Sequence, residues 1–125
     1  MNWLTALPLT AALILPVTVA NAYEPAPLTD TEIAKEVIIA GLSILDASQT
    51  MQIKNLPHLE EKNPILGKHP SDKKIIAYFT TALLLHVGAV YLLPPAYRSY
   101  LQDGTIALEV VVIGRNKSLG MDIKF

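Results

Sequence analysis

The chain has 125 residues, 51% of them hydrophobic, and a net charge of −1 at pH 7. This apolar content exceeds what the core of one small soluble domain needs, so it favours a membrane protein. The sequence has no cysteine, which excludes disulfides and thiolate sites, and it has no basic run, so nucleic acid is not an expected partner.

Residues 1–22 are predicted to be a secretory signal peptide. They form an uncharged, mostly apolar stretch that ends in the small-residue sequence Ala20-Asn21-Ala22, which suits cleavage before Tyr23. The alternative is an uncleaved first membrane helix, because no lysine or arginine precedes the apolar stretch. Residues 23–29 contain two prolines and are predicted to be an extended spacer.

A first helix is predicted from about residue 30 to residue 55. Thr29 and Glu32 have the spacing of a capping box at its start. Its apolar row consists of Ile33, Val37, Ala40, Ile44 and Ala47. The continuous apolar part is too short to cross a bilayer, so we expect an amphipathic helix that lies on the membrane or packs into the membrane-facing layer.

Residues 56–70 are predicted to form a loop, because Asn-Pro, His-Pro and glycine favour turns. Three polar loop residues, Glu61, Asn63 and His69, are candidates for a surface that faces a ligand or a partner. The alternative is that they only form the turns.

The most apolar element is a central helix, predicted over residues 71–93. Between Lys74 and Arg98 no residue carries a formal charge, apart from protonation of His86. The 19 residues from Ile75 to Leu93 would give a helix of about 28 Å, close to the hydrocarbon thickness of a bilayer. We therefore expect this helix to span a membrane.

A third helix is predicted from about residue 96 to residue 116. Its apolar row consists of Tyr97, Leu101, Thr105, Leu108 and Val112, and a second stripe consists of Gln102, Glu109 and Asn116. The β-branched run from Val110 to Ile113 leaves a strand open for that part. Residues 118–125 alternate with strand period, and we expect an extended tail packed on the helices. A membrane β-barrel is excluded because no other strand repeats are present.

These elements predict an all-α fold: a small helical membrane protein with about three helices after a signal peptide, forming a single domain over residues 30–125, and a short extended carboxyl-terminal tail. Two segments, Asp46 to Thr50 and Glu61 to Ser71, resemble small exported proteins of phages, prophages and bacterial chromosomes. Further matches to that pattern are Tyr78-Phe79, His86, Leu93-Pro94, Arg98 and Phe125. That group has no assigned activity, so the resemblance implies an envelope membrane protein of bacterial or phage origin and transfers no catalytic residue.

Five polar residues within the predicted apolar helices are candidates for chemistry: Asp46, Gln49, His86, Glu109 and Asn116. If Asp46, His86 and Glu109 meet in the bundle, they would suit a divalent metal or a proton relay. The alternative is a structural hydrogen-bonded cluster. Known catalytic motifs do not occur, so no catalytic residue is assigned and no cofactor is implied.

Three functions follow from these patterns. The first is a non-enzymatic component of the bacterial cell envelope that acts through partners in assembly, lysis or envelope modification. Its partners would be the lipid bilayer, other envelope proteins or a second copy. The second is a small intramembrane enzyme or metal-binding protein, and the third is a soluble periplasmic three-helix protein.

The orientation of the chain is left open by its charges. Lys68, Lys73 and Lys74 precede the central helix and Arg98 follows it, which conflicts with the positive-inside rule for a single span after export. A hairpin of the second and third helices, with both ends outside the cytoplasm, would remove the conflict.

Overall fold

The computed structural model describes residues 23–124, which form three helices. They are α1 (Asp30–Thr50), continued by a 3₁₀ turn (Met51–Asn55), then α2 (Asp72–Leu92) and α3 (Pro95–Ser118). The predicted all-α fold is confirmed for the described residues. The predicted signal peptide and Phe125 lie outside them, so the cleavage site stays a prediction.

Local signals set the helix ends. In the capping box of α1, Glu32 N donates to Thr29 Oγ1 at 3.2 Å and Thr29 N donates to Glu32 Oε2 at 2.8 Å. Ser71 Oγ caps α2 by accepting from Lys74 N at 3.2 Å, and Pro94 and Pro95 separate α2 from α3.

The strand left open for Val110 to Ile113 is not formed, because these residues are helical. A β-branched residue costs only about 0.7 kcal/mol or less in a helix. Packing of α3 against α1 outweighs that preference.

The helices α1 and α3 run parallel, and α2 runs antiparallel to both. Residues near the start of α1 meet residues near the start of α3, as in the pair Glu32 and Arg98. Residues near their ends also meet, as in Asp46 and Asn116. We name the two ends of the bundle by the connection that lies there. The Pro94 end carries the connection between α2 and α3, and the loop end carries residues 56–71.

The inward faces of α1 and α3 are polar. Buried side chains recur in steps of four and three residues: Glu32, Glu36, Ile39 and Ser43 on α1, and Arg98, Gln102, Thr105 and Glu109 on α3. This is the spacing by which two parallel helices face each other along their length. The predicted apolar row of α1 points outward instead, with Ile33, Val37 and Ile44 exposed.

The loop and the tail both fold onto the loop end. Gly67, with a positive φ of 76°, turns the chain so that its N–H donates to the Asn63 carbonyl at 3.0 Å, and Leu66 is buried. The extended tail packs against α1, since Ser48 Oγ donates to the Lys124 carbonyl at 2.5 Å and Met121 is buried.

Candidate functional site

Arg98 is the most heavily bonded side chain at the Pro94 end. It is fully buried and donates five hydrogen bonds. Nε bonds the Leu93 carbonyl at 2.9 Å, Nη1 bonds the Pro27 carbonyl at 3.2 Å and Glu32 Oε2 at 3.3 Å, and Nη2 bonds the carbonyls of Ala26 at 2.7 Å and Tyr91 at 3.0 Å. Every N–H of the guanidinium is used, and two of the acceptors are carbonyls at the end of α2 that lack helical partners. We call Arg98 with these partners the Arg98 anchor.

His86 lies further inside, between all three helices, and is buried. Its Nδ1 is 3.1 Å from Glu36 Oε2 on α1, and its Nε2 is 3.0 Å from Thr105 Oγ1 on α3. Gln102 Nε2 completes the set by donating to Glu36 Oε1 at 2.7 Å. We call these four residues the His86 network.

The hydrogen bonds of the His86 network place its protons. The Thr105 hydroxyl donates to the Leu101 carbonyl at 2.8 Å, so it accepts from Nε2 of His86. The other ring nitrogen faces a carboxyl oxygen, so one proton lies between His86 Nδ1 and Glu36 Oε2.

Three carboxyl groups approach one another at the loop end, and we call Asp46, Glu61 and Glu109 the acidic cluster. The charge of Glu61 acts on Asp46, and the charge of Asp46 acts on Glu109. Asn116 holds Asp46 in place, because its Nδ2 donates to Asp46 Oδ1 at 2.8 Å. The cluster therefore joins α1, α3 and the loop.

Glu109 is the most deeply buried member of the acidic cluster, with 4% of its surface exposed. Its Oε2 is buried and has no hydrogen-bond partner among residues 23–124. Tyr78 of α2 lies near the cluster, beside the buried Asn63 of the loop. An unpartnered oxygen on a buried carboxyl group is rare in folded proteins and requires an explanation.

Gln49 and the three loop residues are the remaining predicted site residues. Gln49 is fully buried, and its Nε2 donates to the carbonyls of Ile113 at 3.2 Å and Met121 at 3.1 Å, which attaches the tail to α1 and α3. His69 is exposed on the loop. Asn63 is only 6% exposed and its Oδ1 accepts from Ile65 N at 2.9 Å, so the predicted loop surface of Glu61, Asn63 and His69 is not one exposed surface.

The predicted meeting of Asp46, His86 and Glu109 is only half correct. The charge of Asp46 acts on Glu109 and Asn116 bonds Asp46, but both ring nitrogens of His86 are bonded elsewhere. His86 does not reach the acidic cluster because it lies too far along α2. It follows Tyr78 by eight residues, which is about 12 Å of helix. Tyr78 is the residue of α2 that lies level with the acidic cluster.

Sequence reasoning missed the side chains of the Arg98 anchor and the His86 network. It assigned Glu32 to a helix cap, Arg98 to the resemblance, Gln102 and Thr105 to helix faces, and it assigned no role to Glu36. The sequence does contain a signal for these side chains, which is their helical spacing. On α3, steps of three and four residues from Gln102 and Glu109 reach Thr105 and Arg98. On α1, a step of four residues connects Glu32 with Glu36.

Within residues 23–124, no group of three or more histidine, aspartate and glutamate side chains is arranged to hold a metal ion. Comparison with known proteins gives no further assignment. No family model matches the chain, and neither a curated protein nor a solved structure shows significant similarity to it.

Proposed function

We propose that this chain is an integral membrane protein of the bacterial cell envelope, in which α1, α2 and α3 all cross the bilayer and which acts through partners rather than by catalysis. The observation that carries the proposal is the reversed polarity of the bundle. Eleven polar or charged residues are buried within residues 23–124, against six hydrophobic ones, while 19 large hydrophobic side chains are exposed.

The size of the exposed apolar surface argues against an aqueous surrounding. Leaving one large apolar side chain in water forgoes roughly 1.5–3 kcal/mol. Nineteen such side chains, even at half exposure, amount to as much as the roughly 5–15 kcal/mol that stabilises a folded domain. In lipid the same side chains have no such cost.

The lengths of the helices fit a bilayer. With 21, 21 and 24 residues they are about 32, 32 and 36 Å long, against a hydrocarbon layer of about 30 Å. Among the described helices α2 alone is apolar enough by composition to cross a membrane, and only 17% of its apolar window is buried in the bundle.

The composition of α1 and α3 is polar, but their buried charged residues lie on the faces that these two helices turn toward each other. Between Ile33 and Ile44 every exposed residue of α1 is apolar or glycine, and the same holds for α3 between Gly104 and Gly114. A hydropathy average counts the inward side chains as well, so it understates how apolar the outer surfaces of these helices are. Polar and charged residues of membrane-spanning helices usually face the interior of the bundle and pair with one another there.

Extraction with alkaline carbonate tests the proposal. The full chain is expected to stay in the membrane pellet and to require detergent for release. A protein that lies on the surface or folds in the periplasm would be washed into the supernatant. Release of the folded chain by carbonate would overturn the membrane assignment.

The charges favour one orientation for three spans. Eight of the ten lysine and arginine residues lie at the loop end: Lys54, Lys62, Lys68, Lys73, Lys74, Arg115, Lys117 and Lys124. The exposed tyrosines lie at the Pro94 end: Tyr23, Tyr91, Tyr97 and Tyr100. By the positive-inside rule the loop end faces the cytoplasm, and the tyrosines form an interfacial belt on the outside. Three spans thus remove the conflict that a single span creates after export.

The absence of cysteine makes this orientation measurable with single cysteines. In intact spheroplasts, a membrane-impermeant maleimide is expected to label Ala96→Cys at the Pro94 end and to leave His58→Cys unlabelled until the cells are lysed. Both positions are exposed, so burial does not explain a difference. The hairpin of α2 and α3 alone would place position 58 outside and position 96 in the cytoplasm, so labelling of His58→Cys but not of Ala96→Cys in intact spheroplasts would show that arrangement to be correct.

A further inference from the structure

We propose that Glu109 is a proton-binding site, which takes up a proton from the loop end of the bundle and is held as a neutral carboxylic acid in the folded protein. The proposal concerns the interior of the bundle. It does not depend on whether the outside of the bundle faces lipid or water, so it stands apart from the proposed function.

Oε2 of the Glu109 carboxylate lacks a hydrogen-bond donor within the described residues. An ionised carboxylate has four lone-pair sites to satisfy, and its burial is tolerated when hydrogen-bond donors or a cation compensate it. Glu109 is 4% exposed, and its Oε2 has no partner within the described residues. A proton on the group removes the charge and with it the largest part of the burial cost.

The side chains around Glu109 are acidic groups from α1, α2 and the loop. Asp46 faces it from α1, Tyr78 lies near it on α2, and Glu61 approaches the same cluster from the loop. The phenol is neutral and the two carboxyl groups are acids, so these neighbours favour the uncharged form of Glu109. Asn116 is already used by Asp46.

The members of the acidic cluster differ in their access to water. Asp46 and Glu61 are half-buried, whereas Glu109 is buried. Water at the loop end therefore reaches Asp46 and Glu61 more readily than Glu109, and we infer that the proton reaches Glu109 through these two carboxyl groups. Uptake of one proton by the Glu109 carboxylate gives one carboxylic acid and removes one negative charge, with no other reactant.

The arrangement suits a proton better than a metal ion. Hard cations such as Ca²⁺ and Mg²⁺ need six or more oxygen ligands. The described residues hold no group of three acidic or histidine side chains arranged for a metal. A proton requires only the one oxygen that lacks a partner.

Infrared spectroscopy of the purified full chain tests the proposal directly. At about pH 6, roughly two units above the ordinary range of exposed carboxyl groups, we expect the carbonyl-stretch band of a protonated carboxylic acid. The part of this band that shifts when the protein contains ¹³C-labelled glutamate should be lost in Glu109→Gln and kept in Glu60→Gln, a matched change at an exposed residue of the loop. Absence of this glutamate band from the unchanged protein, or its persistence in Glu109→Gln, would overturn the proposal.

A second measurement covers the case in which Glu109→Gln does not fold. With ¹³C-labelled glutamate the band of the unchanged protein should shift to lower frequency, because the acid is a glutamate. In Glu109→Asp the band should no longer respond to glutamate labelling, since the protonated group is then an aspartate. A band that still shifts in Glu109→Asp would assign the proton to another glutamate, such as Glu36, and would refute the proposal.

Discussion

Replacing Arg98 with methionine is expected to lower the free energy of unfolding by about 3–5 kcal/mol, the cost of removing one partner of a buried ion pair. Methionine keeps the apolar stem and removes all five donors. The carboxylate of Glu32 then remains 7% exposed with its buried partner gone, and four backbone carbonyls lose a hydrogen bond. Thermal or denaturant unfolding in detergent measures the loss.

Lys35→Met is the matched control for Arg98→Met. Lys35 also forms an ion pair between α1 and α3, with Asp103 at 2.7 Å, but the Asp103 side chain is 62% exposed. Such exposed pairs contribute about 0–1 kcal/mol. Arg98→Lys, which keeps the charge but has only three donors, should fall between the two. Equal losses for Arg98→Met and Lys35→Met would show that the Arg98 anchor is not formed as described.

Replacing Leu84 with arginine is expected to disfavour membrane insertion of α2 by about 3 kcal/mol. Leu84 is 68% exposed near the middle of α2, so in the three-span arrangement its side chain faces lipid at mid-depth. We expect less protein in the carbonate-resistant pellet and faster degradation of the rest. Quantitative immunoblotting of the two fractions measures both effects.

Leu119→Arg provides the same chemical change at the loop end, where the side chain is exposed just past α3. It should insert and accumulate normally. In a soluble bundle both positions would lie in water, and neither substitution would cost more than a few tenths of a kcal/mol. Normal fractionation of both variants would therefore favour the soluble hypothesis over the membrane one.

The number and limits of the helices could be predicted from the sequence because local signals determine them. Thr29 and Glu32 begin α1, Ser71 begins α2, and Pro94-Pro95 ends it, and each signal acts within four residues. The side of each helix that faces inward could not be predicted in the same way. Periodicity shows which residues share a face, but the apolar row of α1 lies outward with Ile33, Val37 and Ile44 exposed, so the usual rule that the apolar face is buried selects the wrong side.

The partners of His86 could not be predicted for a related reason. A glutamate in the first turns of a helix ordinarily faces solvent, so Glu36 attracts no attention in the sequence, whereas Asp46 and Glu109 stand out within longer apolar runs. Only the relative height of the three helices shows that His86 is level with Glu36 and Thr105. That height depends on the loop of residues 56–71, whose conformation no short motif specifies.

The paired polar stripes of α1 and α3 also fix how far one helix can slide along the other. Between purely apolar helices in lipid, a shift by one turn exchanges one apolar contact for another at little cost. Here a shift of α3 by one turn would carry Arg98 away from Glu32 and Asn116 away from Asp46 at the same time. Because these pairs lie near opposite ends of the bundle, they define one axial register and one rotation for the two helices.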